Sequence, residues 1–509
     1  MGFSTILSAT MQGLEVKFVY IEADISNGLP MFHMVGYLAT EVKEASERVK
    51  TALKNCNMPL PTKKIVVNFA PVHMRKRGAA FDLPMAVALL SAFEEVLPER
   101  IANTLFMGEL SLDGCIRKVS GVLPIVSAAK REGYTVCVLP RENEIEGSVV
   151  DGVEIIGVSH LREVYAYLQG KAHIRKAVAA PQKQECERLD FAQVRGQEVL
   201  KRATEVAVAG NHNILFVGPP GTGKSMIAKR IPSILPLLSK EERIEISNVY
   251  SIMGLLSKEE PLMNTRPFRS AHHTITRAAL IGGGKVPIPG ELSLASGGVL
   301  FLDELAEFRK EVLEVLRQPL EEKEIKITRT LGNYTFPAHI MLVAAMNPCP
   351  CGNYPDYNRC ICTDGQIRQY LGKVSQPLLD RIDLCVEAPR VEFDTLQKSQ
   401  KEEDSHTVRQ RVHKAREMQR IRYKHSEVRT NDELKEADID CYCALDTDGK
   451  ELMKMAYQKL ELTARTYYKI LKVARTIADL EEKDTVEIHH LKEAISYRML
   501  DKKYWGSSR

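Results

Sequence analysis

The pattern of apolar and polar positions divides the chain into two α/β regions and a helical end. In the first 170 residues, strand-like runs such as LEVKFVYIEAD alternate with helical stretches such as ATEVKEASERVKTALKN. This alternation predicts an α/β domain over residues 1–170. The polar stretch at 171–190 predicts a linker, and a helix followed by an apolar strand opens a second α/β unit at 191–390. From 391 to 509 the chain is charged and predicted to be helical.

Composition narrows the class of protein. The 509 residues are 44% hydrophobic and 27% charged, which is typical of a globular chain and excludes a disordered or fibrous one. The formal net charge is only +4, so any contact with nucleic acid requires a local basic patch. The first residues lack a secretion-signal pattern, and no apolar run is long enough to cross a membrane. We therefore expect a cytoplasmic protein whose eleven cysteines are reduced thiols or metal ligands.

One segment has the spacing of a phosphate-binding loop, G-x-x-x-x-G-K-[ST], between the apolar run ILFV and a helical stretch. Its residues are Gly218, Pro219, Pro220, Gly221, Thr222, Gly223, Lys224 and Ser225. Backbone N–H groups of such a loop surround phosphates, while Lys224 reaches the β and γ oxygens and Ser225 supplies a ligand to Mg²⁺. A chance glycine-rich turn lacks these flanking elements, so the segment predicts binding of ATP and Mg²⁺.

Polar residues follow two further apolar strands. The run GGVLFLDE places Asp303 and Glu304 at the carboxyl end of a buried strand, where parallel sheets bind ligands. Asp303 is predicted to hold Mg²⁺, and Glu304 to orient and deprotonate the attacking water. A third strand, IMLVAAMN, ends at Asn347, whose amide can bond the γ-phosphate or that water.

Two arginines are candidates for stabilising transferred phosphoryl charge. Arg381 follows a short helical stretch in QPLLDRIDL and could act on the nucleotide of a neighbouring subunit. Arg465 lies at a predicted helix start in the C-terminal region and could reach phosphates from a lid. Arg475 on the same helix is its rival, and an exposed helix face is the alternative for either.

Four cysteines lie close together directly after Asn347. They are Cys349, Cys351, Cys360 and Cys362. Four thiolates suffice for a closed tetrahedral zinc site, although two C-x-C pairs are tighter than the usual zinc spacing. Zinc is the first choice, while an iron–sulfur cluster and ordinary buried thiols remain open. Cys441 and Cys443 form a lone pair to which no metal is assigned.

Together these segments resemble the AAA+ ATPases, and more closely the magnesium-chelatase-like branch called the ComM/YifB family, over nearly the whole chain. The resemblance implies a homo-oligomeric, hexameric ring in which Asn347 is sensor 1, Arg381 the finger acting in trans and Arg465 sensor 2. It also implies that the stretch NTRPFRSAHHTITRAALIGGGKVPIPGELSLAS belongs to an insertion in helix 2.

A predicted hairpin precedes the sensor strand. The segment EIKITRTLGNYTFPAHI has two alternating strands around Gly332-Asn333. In the family that it resembles, such a hairpin enters the ring pore and contacts DNA, with Lys323, Lys326 and Arg329 supplying phosphate contacts. An ordinary exposed hairpin is the alternative. The basic segment 398–429 leaves the same choice between a solvated helix and a DNA-facing stripe.

The N-terminal region resembles the proteolytic domain of the Lon family through RKRGAAFDLPMAVALL and GELSLDGCIRKVSG. That family uses a serine–lysine dyad. Here Ala80 and Leu123 occupy the matching positions, and neither side chain can perform acyl transfer. Lys118 and Ser120 lie nearby at other offsets. The domain is therefore expected to be an inactive scaffold or interaction module.

Three functions remain as hypotheses. The first is an ATP-driven ring motor that acts on branched or single-stranded DNA. Its activity would be of the branch-migration or helicase type, in recombination or transformation. The second is a magnesium-chelatase-like ATPase that remodels proteins or metal centres. The third, an ATP-dependent protease, is disfavoured by Ala80 and Leu123.

Overall fold

The computed structural model describes residues 2–94, 96–174, 189–257, 259–330, 332–391 and 402–506. Most of the predicted linker, 175–188, and the start of the basic segment, 398–401, lie outside the described residues. The chain forms two compact units. The first contains the described residues up to 174 together with those of 240–264, and the second contains the remainder.

The first unit is a mixed α/β structure. Its strands are β1 Gly2–Gln12, β2 Glu15–Ser26, β3 Met31–Val35, β4 Lys64–Ala70, β5 Thr104–Phe106, β6 Glu109–Leu110, β7 Ile116–Arg117, β8 Val136–Pro140 and β9 Glu154–Val158. Its first five helices are α1 Thr40–Asn55, α2 Asp82–Phe93, α3 Val122–Arg131, α4 Glu144–Ser148 and α5 Leu161–Leu168. Seven strands form one sheet in the order β3-β4-β2-β1-β5-β8-β9.

Helix patterning explains the core of this unit. In α1, buried Val42, Ala45, Val49 and Ala52 recur at helical spacing, so that one face of the helix is apolar. Helix α2 is buried almost all round and apolar throughout, as expected for a central helix. The α/β prediction for this region is confirmed.

The second unit contains a five-stranded sheet and a hairpin. Its strands are β10 Ile214–Val217, β11 Phe268–Ala271, β12 Val299–Leu302, β13 Glu324–Arg329, β14 Gly332–Pro337, β15 Met341–Met346 and β16 Leu384–Glu387. The sheet runs β11-β12-β15-β10-β16, and every neighbouring pair is parallel. Strands β10, β12 and β15 are fully buried, as their continuous apolar runs predict.

Helices α6 to α20 follow along the rest of the described chain. They are α6 Glu198–Gly210, α7 Lys224–Ala228, α8 Lys240–Ile252, α9 Arg277–Ile281, α10 Glu291–Leu294, α11 Lys310–Glu314, α12 Arg317–Glu322, α13 Asp364–Leu371, α14 Gln376–Leu379, α15 Ser405–Arg422, α16 Glu436–Tyr442, α17 Thr447–Leu460, α18 Ala464–Leu480, α19 Ile488–Ser496 and α20 Met499–Trp505. The helical C-terminal region is thereby confirmed, and its apolar residues share one core with the sheet. None of the helices in the described ranges is long and apolar enough to cross a membrane.

Two details differ from the sequence-based expectation. The residues FRSA, predicted to lie in a helix-2 insertion, form β11 and pair in parallel with β12, so they complete the sheet. In the hairpin, Arg329 pairs with Gly332, so the chain reverses before Gly332 and not around Gly332-Asn333. The hairpin itself is present as an antiparallel pair, β13–β14.

Helix α8 belongs to the first unit, although its sequence lies within the predicted ATPase core. Ser251 at its end donates a hydrogen bond to the carboxylate of buried Glu146. The backbone N–H of Leu123 donates to both of these side chains, at 3.3 Å and 3.2 Å. Lys118 donates to the carbonyl oxygen of Leu256. The segment after the phosphate-loop region therefore completes the first unit around the start of α3.

Candidate functional site: a nucleotide-phosphate site

The phosphate loop connects β10 to α7 and has the backbone that phosphate binding requires. Gly221 and Gly223 have φ values of 80° and 90°, in the left-handed region that favours glycine. Helix α7 begins at Lys224, directly after the loop. The loop N–H groups and the helix start are thus placed as in a phosphate-binding loop.

Lys224 is held over the loop by three oxygens. Its ammonium group donates to the carbonyl oxygens of Gly218 and Pro219, at 2.7 Å and 2.8 Å, and to Oδ1 of Asn347 at 3.3 Å. Burial lowers the pKa of Lys224 to about 8, while the Asp303 carboxylate acts in the opposite direction. Phosphate oxygens can replace these carbonyl acceptors, because they attract the same ammonium group more strongly.

The two predicted magnesium ligands lie in direct contact. Ser225 donates from Oγ to Oδ2 of Asp303 at 2.6 Å, which joins the helix start to the end of β12. A hydroxyl and a carboxylate oxygen side by side are ligands that Mg²⁺ prefers when it also binds nucleotide phosphates. The side chains therefore fit a magnesium ion at this position.

Glu304 lies directly beyond β12 with a φ of 53°, and about 60% of its side chain is exposed. Its carboxylate is 3.5 Å from Nδ1 of His273. His273 stacks against His272, with ring centroids 4.1 Å apart. An exposed carboxylate at the end of this strand can reach a water molecule near the γ-phosphate. The sequence alone does not single out His273 as a site residue. Its one signal is the histidine pair His272-His273 directly after the strand FRSA.

The predicted sensor residue connects this site to the cysteines. Asn347 follows β15 and reaches Lys224, as given above. Gly352, within the cysteine segment, has a φ of 80° and packs so closely on the phosphate loop that a Cβ atom there would lie 2.5 Å from Pro220. The cysteine segment and the phosphate loop are therefore in contact.

The four predicted cysteines form one cluster. Their Sγ atoms all lie within 4.8 Å of one another. Three Sγ–Sγ distances are 3.4, 3.6 and 3.8 Å, close to the edge of about 3.8 Å for a tetrahedron with Zn–S bonds of about 2.3 Å. A disulfide would need about 2.0 Å. The backbone N–H of Tyr354 donates to Sγ of Cys349 at 3.4 Å, and such donors stabilise metal-bound thiolates. The cluster therefore fits zinc.

The two candidate arginines converge on one carboxylate. Arg381 donates to the carbonyl oxygens of Arg317 and Pro377, each at 2.7 Å, and forms an ion pair with Glu321. Arg465 reaches the other oxygen of Glu321 at 3.1 Å. The contacts given above for Lys224 and Ser225 are made with other residues. The structure thus brings Arg381 and Arg465 together.

Arg475, the rival of Arg465, has a structural role. Its side chain is almost fully buried and donates to Asp479 at 3.1 Å and to the carbonyl oxygen of Asp484 at 2.7 Å. A buried guanidinium held by a carboxylate and carbonyl oxygens is satisfied within the fold. Arg465, with 56% of its side chain exposed, is therefore the arginine of this helix that can reach a ligand.

Comparison with known proteins decides the family. The chain is 40% identical over 504 residues to the uncharacterized protein YifB of Salmonella typhimurium, covering 99% of this chain and 98% of that protein. It is 39% identical over 509 residues to the competence protein ComM of Haemophilus influenzae, covering 98% of each. The chain belongs to the ComM/YifB family.

Family profiles agree with this identification along the chain. Residues 190–396 match the magnesium chelatase subunit ChlI, residues 21–143 match subunit ChlI of Mg-chelatase, and residues 402–498 match the ChlI C-terminal region. As a magnesium-chelatase-like member of the ComM/YifB family, the chain has an AAA+ ATPase fold, and the family implies ATP and Mg²⁺. The N-terminal part is similar to Lon protease 2 of Bacillus subtilis, at 34% identity over 124 residues that cover 24% of this chain and 22% of that protein.

The Lon-like similarity confirms the predicted resemblance, and the structure gives the surroundings of the substituted positions. Ala80 lies in a short helical turn, and its carbonyl oxygen accepts a hydrogen bond from the N–H of Gly108 at 3.0 Å. Leu123 is fully buried in α3. Within this ComM/YifB chain, neither position carries a nucleophile or a base.

Of the three predicted DNA-binding residues, Lys323 is placed differently from the expectation. It lies before β13 with 18% of its side chain exposed, and its ammonium group binds Asp432 at 2.8 Å. Although burial opposes it, the Asp432 carboxylate raises the pKa of Lys323. This lysine ends helix α12 with a φ of 58°, and its ammonium group serves an internal ion pair with Asp432 of the C-terminal region.

The other two lie on the hairpin strand β13. Lys326 is 56% exposed and contacts Glu322 and Glu324. Arg329, at the end of β13, donates to the carbonyl oxygen of Thr328 at 3.1 Å. Both side chains are accessible to an anionic ligand. Basic residues of α15 instead bind acidic residues of their own unit, among them Arg411 with Glu205 and Arg422 with Asp479.

A second group of side chains that could offer atoms to a metal forms a hydrogen-bonded cluster instead. Glu481, His489 and His490 place their ligand atoms within 4.8 Å of one another. Nδ1 of His490 accepts the N–H of Glu487 at 2.9 Å, so the ring proton is on Nε2, which lies 3.1 Å from Glu481. Burial lowers the pKa of His490, which keeps the ring neutral. A protonated nitrogen cannot ligate a metal, so we assign none here.

Proposed function

We propose that the protein is an ATP-hydrolysing ring motor that acts on DNA, with branched or single-stranded DNA as its substrate and six copies in the ring. The observation that supports the ring is the position of Arg381 and Arg465. Both are drawn together at Glu321, while Lys224, Ser225, Asp303 and Asn347 form a separate constellation. Two such half-sites are complementary when one copy supplies the phosphate loop and its neighbour the arginines.

In the proposed reaction, Glu304 orients the attacking water and accepts its proton as the oxygen bonds to the γ-phosphorus of ATP. The bond between the γ-phosphorus and the β,γ-bridging oxygen breaks, and ADP and phosphate are the products. Lys224 neutralises the β and γ oxygens, and Asn347 holds the water or the γ-phosphate. Ser225 and Asp303 would hold Mg²⁺, which would neutralise part of the phosphate charge. Arg381 from a neighbouring copy stabilises the negative charge that develops on the transferred group, with Arg465 as its second donor.

Action on DNA is supported by the hairpin β13–β14 and its accessible cations, Lys326 and Arg329. The similarity to a protein named as a competence protein points in the same direction. The alternative, a protein- or metal-remodelling ATPase, is supported by the match to magnesium chelatase over residues 190–396.

DNA-stimulated turnover separates these two functions. We expect forked or four-way DNA to raise ATP turnover of the full chain several-fold. The double variant Lys326→Ala/Arg329→Ala should keep basal turnover and lose the stimulation, because each removed phosphate contact weakens binding and lowers its salt dependence by about one unit of log–log slope. The measurement is steady-state phosphate release with and without DNA at several salt concentrations.

The control for this experiment is Lys454→Ala/Lys492→Ala, which removes two exposed lysines of the C-terminal helices. It should retain wild-type stimulation. If DNA neither binds nor stimulates the wild type, the remodelling function replaces the motor.

Zinc at the cysteine cluster is the second proposal about this site. Elemental analysis of the purified chain should give about one zinc per chain, and Cys360→Ser should reduce this by more than half, because a three-thiolate site holds the metal less tightly. Cys441→Ser, which removes an exposed thiol elsewhere, is the matched control and should leave the zinc content unchanged. A wild-type content well below one zinc per chain contradicts the proposal.

A further inference from the structure

Among the described residues, Glu321 in helix α12 contacts both candidate arginines. Its Oε2 pairs with Nη2 of Arg381, and its Oε1 accepts from Nη2 of Arg465 at 3.1 Å. One carboxylate therefore divides its two oxygens between two guanidinium groups that come from distant parts of the sequence. This arrangement places both cations at one location in the second unit.

The two arginines are held unequally. Arg381 has two carbonyl acceptors besides Glu321, and only 13% of its side chain is exposed. Arg465 is 56% exposed, and its described contact is the single bond to Glu321. An incoming anion can therefore detach Arg465 easily, whereas Arg381 moves little.

Glu321 and Arg381 line an open groove of about 890 Å³, together with other charged side chains. Five basic side chains and five glutamates line this groove, so it is close to neutral. The groove attracts a polyphosphate more strongly when the arginines are not paired with glutamate carboxylates. Glu321 is the glutamate in direct contact with both of them.

We propose that Glu321 is a positioning residue that holds Arg381 and Arg465 together and then releases both arginines to the γ-phosphate of the ATP bound to a neighbouring copy. The carboxylate satisfies both guanidinium groups before the phosphate arrives. It then yields its place to phosphate oxygens, so that the arginines bind most strongly as charge develops in the transition state. The inference rests on the proposed function, in which both arginines act on the nucleotide of a neighbour.

The predicted signature is a split between kcat and KM. In Glu321→Gln the arginines lose their competing anion and bind ATP in the ground state, so KM for ATP should fall about threefold. The same loss leaves them poorly oriented for the transition state, so kcat should fall about tenfold. A merely structural role would lower the active fraction of the protein and leave KM unchanged.

A double-variant cycle tests whether Glu321 acts through Arg465. Glu321→Gln should lower kcat by a clearly smaller factor in the Arg465→Ala background than in the wild type, because one of its two arginine partners is already absent. The neighbouring Glu322 contacts Gln318 and Lys326. As the matched control, Glu322→Gln should keep wild-type kcat and KM. Thermal unfolding and oligomer size, measured for each variant, show whether the chain remains folded and assembled.

Each result has one meaning. Wild-type kcat and KM for Glu321→Gln, or an equal effect in both backgrounds, overturns the positioning role. If Arg381→Ala and Arg465→Ala themselves turn over normally, the arginine roles and the Glu321 proposal both fail. If those variants lose turnover while Glu321→Gln does not, only the Glu321 proposal fails.

Discussion

Glu304→Gln is expected to bind ATP and to hydrolyse it at least about a hundredfold more slowly than the wild type, because a neutral amide cannot accept the proton of the attacking water. The substitution keeps the size of the side chain and leaves Ser225, Asp303 and Lys224 in place to bind the nucleotide. Binding of a fluorescent ATP analogue and steady-state phosphate release, measured on the same preparation, separate the two effects.

The control for this prediction is Glu307→Gln. Glu307 is an exposed carboxylate three residues away that pairs with Lys373 at 3.4 Å, and its loss should change turnover less than twofold. Turnover of Glu304→Gln within threefold of the wild type would show that another group deprotonates the water. The carboxylate near His273 would then have to be given a different role.

Arg381→Ala should assemble as the wild type does and lose about a thousandfold in turnover, the magnitude typical of a supplied arginine finger. In the proposed reaction this side chain stabilises the charge that develops on the transferred phosphoryl group. Oligomer size by light scattering and turnover by phosphate release are the two measurements. Arg420→Ala, which removes an exposed arginine paired with Glu417, is the matched control.

Mixing two inactive variants tests whether Arg381 acts on a neighbour. In a mixed ring, a Lys224→Ala chain offers its intact Arg381 to an Arg381→Ala chain that has an intact phosphate loop. Turnover should therefore reappear on mixing, reaching up to about a quarter of the wild-type value if copies mix at random. Absence of recovery in mixed oligomers would place the arginine and the phosphate loop in the same copy.

The parts of the site that could be predicted from sequence are those in which local spacing determines the chemistry. The loop from Gly218 to Ser225 needs glycines and a lysine at fixed positions, so the motif alone identifies it. Asp303 and Glu304 follow an apolar strand, which predicts Asp303 as a Mg²⁺ ligand together with Ser225, and Asp303 accepts a hydrogen bond from Ser225 in the structure. The four cysteines were likewise adjacent in sequence, and their sulfur atoms meet in space.

The remainder depends on which distant residues pack together, and spacing carries no information about that. Lys323 has Glu322 and Glu324 as its neighbours in sequence, yet its partner is Asp432, more than a hundred positions along the chain. Glu321 gives no sequence signal at all, since its importance comes from two arginines brought to it by α18 and by the loop after α14. The short strand β11 was missed because four residues between loops are too few to show a period.

Helix α8 packs in the first unit, although the sequence on both sides of it belongs to the second. No single cut of the chain therefore separates the two units. Its buried residues Ile246, Val249 and Tyr250 are encoded in the middle of the ATPase sequence but pack within the first unit. A chain shortened to begin after the linker would retain this helix and lose its packing partner, leaving apolar side chains in water and promoting aggregation. Deletion of the N-terminal region is therefore costly to folding, whatever that region does.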